Sequence, residues 1–288
     1  MNVAHSPAEL PLRERAVALG TFDGVHVGHR RVLEAAVAAP GSASVVTFDT
    51  HPRAGGATVT PLLTTLERRL ELVAAAGIED VLVLPFEDGL AASDPAELAA
   101  RVLEPFGTRV VVAGQGFRFG RERRGDLRAL ADLGLDVRPV PLVEGVSSQR
   151  IRELVVAGEL RTAARLLGRP FEVEGTVHEG DRRGRLLRFP TANLDVPDRL
   201  LVPPYGIYAG AARGHRAAIS IGVNPHFGAG ERRVEAFLLD FEGDLYGERL
   251  VVELWARLRD EQAFDDEAGL VAQIARDVAA AREAVRPG

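Results

Sequence analysis

Five short apolar runs punctuate the first half of the chain and predict the strands of one buried sheet. The runs are β-branched and nearly continuous rather than alternating, which is typical of strands covered on both faces. They are RAVALG (15–20), SVVTF (44–48), DVLVLPF (80–86), RVVVAG (109–114) and DVRPVPL (136–142). We therefore expect five parallel strands.

Helical patterns separate these runs. The predicted helices are His29 to Ala39, Leu66 to Ala76 closed by Gly77, a segment opened by Asp94, Pro95 and Glu97, and about Asp126 to Leu133 ending at Gly134. Asp94 with Glu97 matches a capping box. This alternation predicts an α/β, Rossmann-like domain with helices on both faces of the sheet and ligands beyond the carboxyl ends of its strands.

The pattern changes after LLGRPF (166–171). From Glu172 to Arg259 short strand-like runs are interrupted by turn-forming segments, and this spacing predicts an antiparallel barrel or sandwich. Helical spacing returns from about Asp266 to Val285, so one terminal helix should pack on the barrel. The acidic segment DEQAFDDE (260–267) is interpreted as a solvated helix start, capped by Asp265 or Asp266.

Composition excludes several kinds of chemistry. The 288 residues contain no cysteine, and all 35 basic residues are arginine, so disulfides, thiolate chemistry and a Walker-type lysine are ruled out. The net charge of -6 argues against a nucleic-acid partner. No apolar run is long enough to cross a membrane, and the first residues lack a signal-peptide pattern, so we expect a cytoplasmic protein.

The stretch GTFDGVHVGHRRVLEAA (20–36) is the first candidate site, because it joins a strand to a helix through glycines and two histidines. A helix N-terminus offers unpaired N–H groups to an anion, and imidazole can donate to a phosphate oxygen. A metal would need a third ligand such as His51, Asp23 or Asp49. Histidines bonded only to the loop backbone are the third possibility, and the order of strand, glycine turn and helix favours phosphate.

The stretch RFPTANL (188–194) is the second candidate. Thr191 and Asn193 lie two residues apart and would point the same way in an extended segment, offering oxygen ligands that suit magnesium with bound nucleotide. Taken alone, an Asn/Pro turn explains these residues better than a metal site does.

Both stretches resemble one known family. GTFDGVHVGH is similar to the phosphate-binding signature of HxGH nucleotidyltransferases, in particular the form in prokaryotic bifunctional riboflavin kinase/FMN adenylyltransferases (FAD synthetases). Further similar segments follow in the order of that family: VVTFDTHPR (45–53), AGQGFRFGRERRGD (113–126), VSSQRIRELVVAGELRTAARLLGRPF (146–171), RFPTANL, ISIGVNPHFG (219–228), VEAFLLDFEGDLYG (234–247) and LRDEQAFDDEAGLVAQIARD (258–277).

The resemblance implies which residues of the first domain bind ATP. His26 and His29 would contact its phosphates during in-line attack by the FMN phosphate on the α-phosphorus. The remaining implied nucleotide-binding residues are Gly20, Phe22, Asp23, Gly24, Gly28, His51, Ser147, Ser148, Arg150 and Arg152.

In the second domain the resemblance assigns magnesium and phosphate to Thr191 and Asn193, and makes Glu235 the general base of a riboflavin kinase. A glycine-rich loop over ATP is matched by Gly180, Gly184 and Arg185.

The chain departs from the family pattern at three positions in its first domain. Thr50 replaces a proline, Gly116 replaces the usual acid or amide, and Gln149 replaces a threonine.

The resulting prediction is an enzyme with a nucleotidyltransferase domain over 1–168 and a riboflavin kinase domain over 169–288. It would phosphorylate riboflavin to FMN and adenylylate FMN to FAD, with ATP as co-substrate, Mg²⁺ as cofactor, and a monomeric or weakly oligomeric state. Two alternatives remain: a riboflavin kinase with an impaired adenylyltransferase site, and a flavin-binding regulatory module without catalysis.

Overall fold

A computed structural model describes residues 1–49, 60–85, 94–120, 124–179, 189–223, 232–264 and 266–288. The chain divides into two compact units, Met1–Ser148 and Gln149–Gly288. The domain boundary at residue 168 stays a prediction.

The first unit is built on a parallel sheet. Its strands are β1 (Asn2–Ala4), β2 (Arg15–Leu19), β3 (Ser42–Phe48), β4 (Asp80–Leu84), β5 (Thr108–Gly114) and β8 (Asp136–Val140), while β6 (Arg118–Phe119) and β7 (Gly125–Asp126) form a separate antiparallel pair. The sheet order is β1-β4-β3-β2-β5-β8, and every neighbouring pair is parallel. All five predicted strands are present, and β1 is an additional edge strand.

A buried carboxylate explains why β1 joins the sheet. Asp80, at the start of β4, accepts hydrogen bonds from Asn2 Nδ2 at 2.9 Å, Arg13 Nη2 at 2.7 Å and Arg15 Nε at 3.0 Å. Burial alone would raise the pKa of Asp80, but the hydrogen bonds from these three side chains outweigh burial and lower it. Asp80 therefore ties β1 and the start of β2 to β4.

Helices cover both faces of this sheet. They are α1 (Val27–Val37), α2 (Leu66–Ala75), α3 (Pro95–Leu98), which continues as a π-helical turn (Ala99–Leu103), and α4 (Leu127–Asp132), with a short 3₁₀ helix at Pro7–Glu9. Alternate residues of each strand enter two separate apolar clusters: Ala16 and Val45 pack under α1 and α2, whereas Val17 and Val46 face Leu103 and Leu130. The predicted layering is thus confirmed.

The predicted helix caps are also present. The Asp94 side chain accepts from Glu97 N while the Glu97 side chain accepts from Asp94 N, so the capping box is complete. Asp126 caps α4, and Gly77 and Gly134 take the left-handed backbone conformation just after their helices.

The second unit is a closed six-stranded antiparallel barrel. Its elements are α5 (Ser148–Val156), whose first residue belongs to the first unit, α6 (Leu160–Leu167), β9 (Phe171–His178), β10 (Ala192–Asp195), β11 (Gly206–Ala212), β12 (His215–Val223), β13 (Arg232–Leu238), β14 (Arg249–Arg259) and α7 (Glu267–Glu283). The order around the barrel is β10-β13-β12-β11-β14-β9. The barrel and its terminal helix confirm the predicted fold class.

Helix α7 lies on the outer surface of the barrel, against β11 and β12. Asp266 caps it by accepting from Gly269 N at 2.7 Å. The helix therefore begins at Glu267, the last residue of the acidic segment. Arg259 Nη2 meets Asp277 Oδ2 at 2.6 Å and joins the end of β14 to the middle of α7. Within the described residues, no helix combines the length and apolarity needed to span a membrane.

Candidate active sites

The loop between β2 and α1 has a tightly constrained backbone. Phe22 and Val25 have φ values of 49° and 37°, in the left-handed region that non-glycine residues seldom adopt, and Gly24 lies between them at 84°. Such conformations cost on the order of 1–3 kcal/mol each, so surrounding contacts must hold the loop in place.

Asp23 supplies those contacts. Its carboxylate is fully buried, and Oδ1 accepts from Leu63 N at 2.9 Å and Thr64 N at 3.2 Å. Gly24 N in turn donates to Thr64 Oγ1 at 3.1 Å. The carboxylate thus ties the loop to the residues before α2, and its predicted contact with ATP stays a prediction.

The two histidines stand together at the start of α1. His26 is the N-cap, and its Nδ1 accepts the backbone N–H of His29 at 3.2 Å. Because Nδ1 is the acceptor, the neutral His26 ring carries its proton on Nε2. The two rings stack with centroids 3.6 Å apart, and Phe22 meets His29 edge-on at 5.4 Å.

Gly28 gives the His26 ring its space. A Cβ at position 28 would lie 3.2 Å from two atoms of that ring, and a Cβ at Gly20 would lie 3.1 Å from the Phe22 ring. A side chain at either position would therefore force the neighbouring ring to move by a few tenths of an ångström.

The loop also meets the first residue of α5. Ser148 Oγ donates to Asp23 O at 3.0 Å, so a second helix N-terminus begins beside the loop. Ser147 precedes that helix and is exposed. Arg150 and Arg152 follow on α5, Arg150 exposed and Arg152 buried. The N-terminal N–H groups of α1 favour a bound anion beside this loop.

The second candidate site lies on the barrel. In the pairing of β10 with β13, Asn193 lies directly opposite Glu235, and paired residues project from the same face of a sheet. Thr191 Oγ1 donates to Glu235 Oε2 at 3.4 Å, and Arg233 Nη1 donates to Glu235 Oε1 at 3.2 Å. The structure therefore brings Thr191, Asn193 and Glu235 together.

The donor set at this position fits a hard cation. Asn193 is buried, and its Oδ1 has no hydrogen-bond partner within the part of the chain that the structure describes. An unsatisfied buried carbonyl oxygen is unfavourable, and magnesium prefers neutral and anionic oxygen ligands of this kind.

A cavity of about 320 Å³ opens beside Glu235, on the outer surface of β12 and β13. Thr191 and Glu235 line one part of it, and the rings of Phe189 and Phe237, which meet edge-on at 5.4 Å, line another. The far wall is formed by Arg259, Glu261, Gln262, Phe264 and the α7 residues Leu270, Ile274, Asp277 and Val278. The polar groups are therefore adjacent to an apolar slot.

Some site residues were not identified by sequence reasoning. Glu261 and Phe264 belong to the segment interpreted as a solvated helix start, yet they line the cavity because the chain runs along the barrel before α7 begins. Their only sequence signal was the apolar Phe264 preceding Leu270, Ile274 and Val278. The predicted residues His51, Gly180, Gly184 and Arg185 lie outside the described residues.

Comparisons with known proteins match both halves of the chain to known families. Residues 9–152 match the family model for FAD synthetase, and residues 167–285 match that for riboflavin kinase. The bifunctional riboflavin kinase/FMN adenylyltransferase of Listeria monocytogenes is 33% identical over 91% of this chain and 90% of its own length. The enzyme of the same name from Pseudomonas fluorescens is 36% identical, over 93% and 92%.

A solved structure supports the fold across the whole chain. It is described as a macrolide-efflux protein from Streptococcus pneumoniae, matches with a TM-score of 0.86 at 29% identity, and covers 98% of this chain and 99% of that one.

A parallel sheet whose β2–α1 loop carries two histidines, followed by a barrel with a Thr–Asn–Glu cluster, and the matches of both halves define a two-domain nucleotide-dependent transferase. The chain belongs to the family of bifunctional riboflavin kinase/FMN adenylyltransferases, since relatives more than 30% identical to it cover over 90% of its length.

Proposed function

We propose that this chain makes both flavin cofactors, phosphorylating riboflavin to FMN in its second domain and adenylylating FMN to FAD in its first. The observation that carries the kinase assignment is the cluster of Thr191, Asn193 and Glu235 at the mouth of an apolar cavity. The observation that carries the second activity is the pair of stacked histidines at a helix N-terminus.

In the kinase reaction the terminal ribityl hydroxyl of riboflavin attacks the γ-phosphorus of ATP. Glu235 accepts the proton of that hydroxyl as the new O–P bond forms and the bond to the β-phosphate oxygen breaks, releasing ADP. The apolar slot between Phe189, Phe237 and α7 has the chemistry to hold the isoalloxazine ring. Thr191 keeps Glu235 oriented through its hydroxyl.

Thr191 and Asn193 would hold magnesium, which supplies positive charge that offsets the charge on the phosphate oxygens. The orphaned Asn193 Oδ1 supports this assignment.

In the adenylylation reaction a phosphate oxygen of FMN attacks the α-phosphorus of ATP and pyrophosphate leaves. No covalent enzyme intermediate is needed, so the protein contributes positioning and electrostatic stabilisation. His26, with its proton on Nε2, and His29 would donate to the phosphate oxygens. Ser147, Ser148, Arg150 and Arg152 would complete the ATP site with Gly20, Phe22, Gly24 and Gly28 of the loop. The resemblance alone adds His51 to this ATP site. It likewise places a loop with Gly180, Gly184 and Arg185 over the ATP of the kinase site.

We further propose that the enzyme works in the cytoplasm as a monomer or weak homo-oligomer. Its net charge of -6 favours small-molecule substrates over nucleic acid.

One pair of variants tests the two assignments against each other. The purified protein is given riboflavin or FMN, with ATP and magnesium, and the flavin products are separated over time. We expect Glu235→Gln to lose riboflavin phosphorylation by about 100-fold or more, because the proton acceptor is removed, while still converting FMN to FAD. His29→Ala should lose the conversion of FMN to FAD and retain the phosphorylation of riboflavin.

The activity that each variant retains shows that the loss is confined to the other site. A wild-type protein that binds riboflavin but makes no FMN would support the non-catalytic alternative and refute the proposal.

A further inference from the structure

Three carboxylates line the kinase cavity, Glu235, Glu261 and Asp277, and Glu261 has no part in the proposed kinase reaction. It follows β14 directly and lines the same cavity as Glu235 and Thr191. No hydrogen bond reaches its carboxylate from the described part of the chain, and Arg259 acts on it only through its charge. Glu235, by contrast, is held by Thr191 and Arg233.

A glycine makes room for this carboxylate. Gly222 lies on β12, and a Cβ built there would be 1.8 Å from Glu261 Oε1 and 2.6 Å from its Cδ. The backbone of Gly222 is not in the left-handed region, so its conformation alone does not require glycine. The carboxylate therefore rests directly on the bare surface of β12.

The strand register places Glu235 close to the glycine on which Glu261 rests. Gly222 pairs with Arg233, and Ser220 pairs with Glu235. Gly222 and Glu235 are therefore diagonal neighbours on the same face, whose Cα atoms lie about 7–8 Å apart in an antiparallel pair. Both side chains line the same cavity, so one ligand can contact the two.

The residue two positions before Glu261 is anchored to α7. Arg259 donates from Nε and Nη2 to the Asp277 carboxylate of α7, and from Nη1 to Asp260 O at 2.8 Å. All three guanidinium nitrogens are thus used away from Glu261. Burial raises the pKa of the Glu261 carboxyl, while the charge of Arg259 opposes that rise.

We propose that Glu261 is a substrate-binding residue of the kinase site, which accepts a hydrogen bond from a donor group of the flavin. The inference rests on the proposed kinase function. Riboflavin offers two kinds of donor, the imide N–H of its ring system and the hydroxyls of its ribityl chain. A pre-positioned acceptor beside an apolar slot is the feature that fixes the orientation of a flat, largely apolar ligand.

The test compares three variants. Glu261→Ala should raise the KM for riboflavin by about 10-fold or more, since hydrogen bonds to charged groups contribute about 1.5–3 kcal/mol, with the KM for ATP unchanged. Glu261→Gln keeps an acceptor and should recover part of the affinity. Gly222→Ala retains the carboxylate but displaces it, so it should also raise the KM.

A double-mutant cycle separates this role from general damage. If Gly222 acts by seating Glu261, the double variant should bind riboflavin no more weakly than Glu261→Ala alone. Asp260→Asn is the matched control, because its carboxylate is 79% exposed and does not line the cavity. A retained kcat for riboflavin phosphorylation, with the KM for ATP unchanged, reports that the barrel of each variant is folded.

A methylated substrate identifies the donor. 3-Methylriboflavin lacks the imide N–H. If Glu261 accepts from that group, the wild type should bind 3-methylriboflavin more weakly than riboflavin, and Glu261→Ala should bind the two equally. A contact to the ribityl hydroxyls predicts the same 3-methyl effect in both proteins.

Flavin affinity is also measured without turnover, by quenching of riboflavin fluorescence. Loss of turnover in the wild type with normal flavin binding would refute the kinase function and leave this measurement of Glu261 valid. Unchanged riboflavin affinity in both Glu261→Ala and Gly222→Ala would overturn the inference.

Discussion

Gly116 is the residue at which this chain differs most consequentially from the pattern of its family. It lies in the turn after β5, where the family usually carries an acid or an amide. A Cβ at position 116 would meet only Leu142 Cδ1 at 3.6 Å, an ordinary contact, and its backbone is not left-handed. Neither space nor conformation requires glycine here, so the missing side chain is a chemical difference.

Restoring the amide should therefore improve adenylylation. We expect Gly116→Asn to raise the rate of FAD formation from FMN by about 10-fold, because one added hydrogen-bond donor in a phosphoryl-transfer site can contribute this much. Gly116→Ala adds only the Cβ and should leave the rate unchanged. An equal rise in both variants would assign the effect to backbone rigidity, and no rise in either would show that another group has taken over the role.

At the scale of single residues, the Thr–Asn–Glu cluster of the barrel was predicted, whereas the cavity-lining residues just before α7 were not. Thr191, Asn193 and Glu235 were predicted from the resemblance of their segments to the family, because taken alone RFPTANL fits an Asn/Pro turn better than a metal site. Glu261 was assigned to solvent because an acidic run before a helix usually is solvated. Only the path of the chain over β12 brings it to the cavity, and no local pattern encodes that path.

The His26 side chain at the start of α1 has two roles, and substitutions can separate them. His26 caps the helix through Nδ1 and presents Nε2 as a donor. His26→Ala removes both and should lower the free energy of unfolding by about 1 kcal/mol. His26→Asn retains a capping acceptor and should change stability by only a few tenths of a kcal/mol.

Both variants should lose adenylylation by about 100-fold or more, since both lack the imidazole donor. Urea denaturation and the FMN assay measure the two effects, with riboflavin phosphorylation as the internal control. Full adenylylation by His26→Asn would mean that His26 acts only as a cap.

Among the elements, the long apolar strands and the capped helices were predictable, and β1 was not. Four of the five predicted strands are buried runs, so their pattern reflects burial on both faces. The fifth, β8, was expected to be buried but lies at the edge of the sheet, with residues that are exposed or only partly buried. Strand β1 has three residues, two of them exposed, and it lies at the edge of the sheet. Its position depends on Asn2 and Arg13 meeting Asp80 about 70 residues away, a contact that sequence periodicity does not reveal.

On the scale of the whole molecule, helix α6 determines where the boundary between the two domains lies. The FAD synthetase model ends at residue 152 and the riboflavin kinase model begins at residue 167. The predicted domain boundary falls at residue 168. The structure groups α6 with the barrel unit, where it packs against β9 and β14. Leu160, Ala163, Ala164 and Leu167 of α6 are all buried.

This packing predicts that the kinase domain needs α6 to be stable. A fragment of residues 158–288 should fold and phosphorylate riboflavin, whereas 169–288 should lose about 3 kcal/mol or more of its free energy of unfolding, because burial of one leucine side chain contributes about 1.5–3 kcal/mol. Urea denaturation of both fragments measures the difference. Equal stability would place the boundary at 168 and make α6 a linker, whereas a large loss would show that the helix is part of the barrel's core.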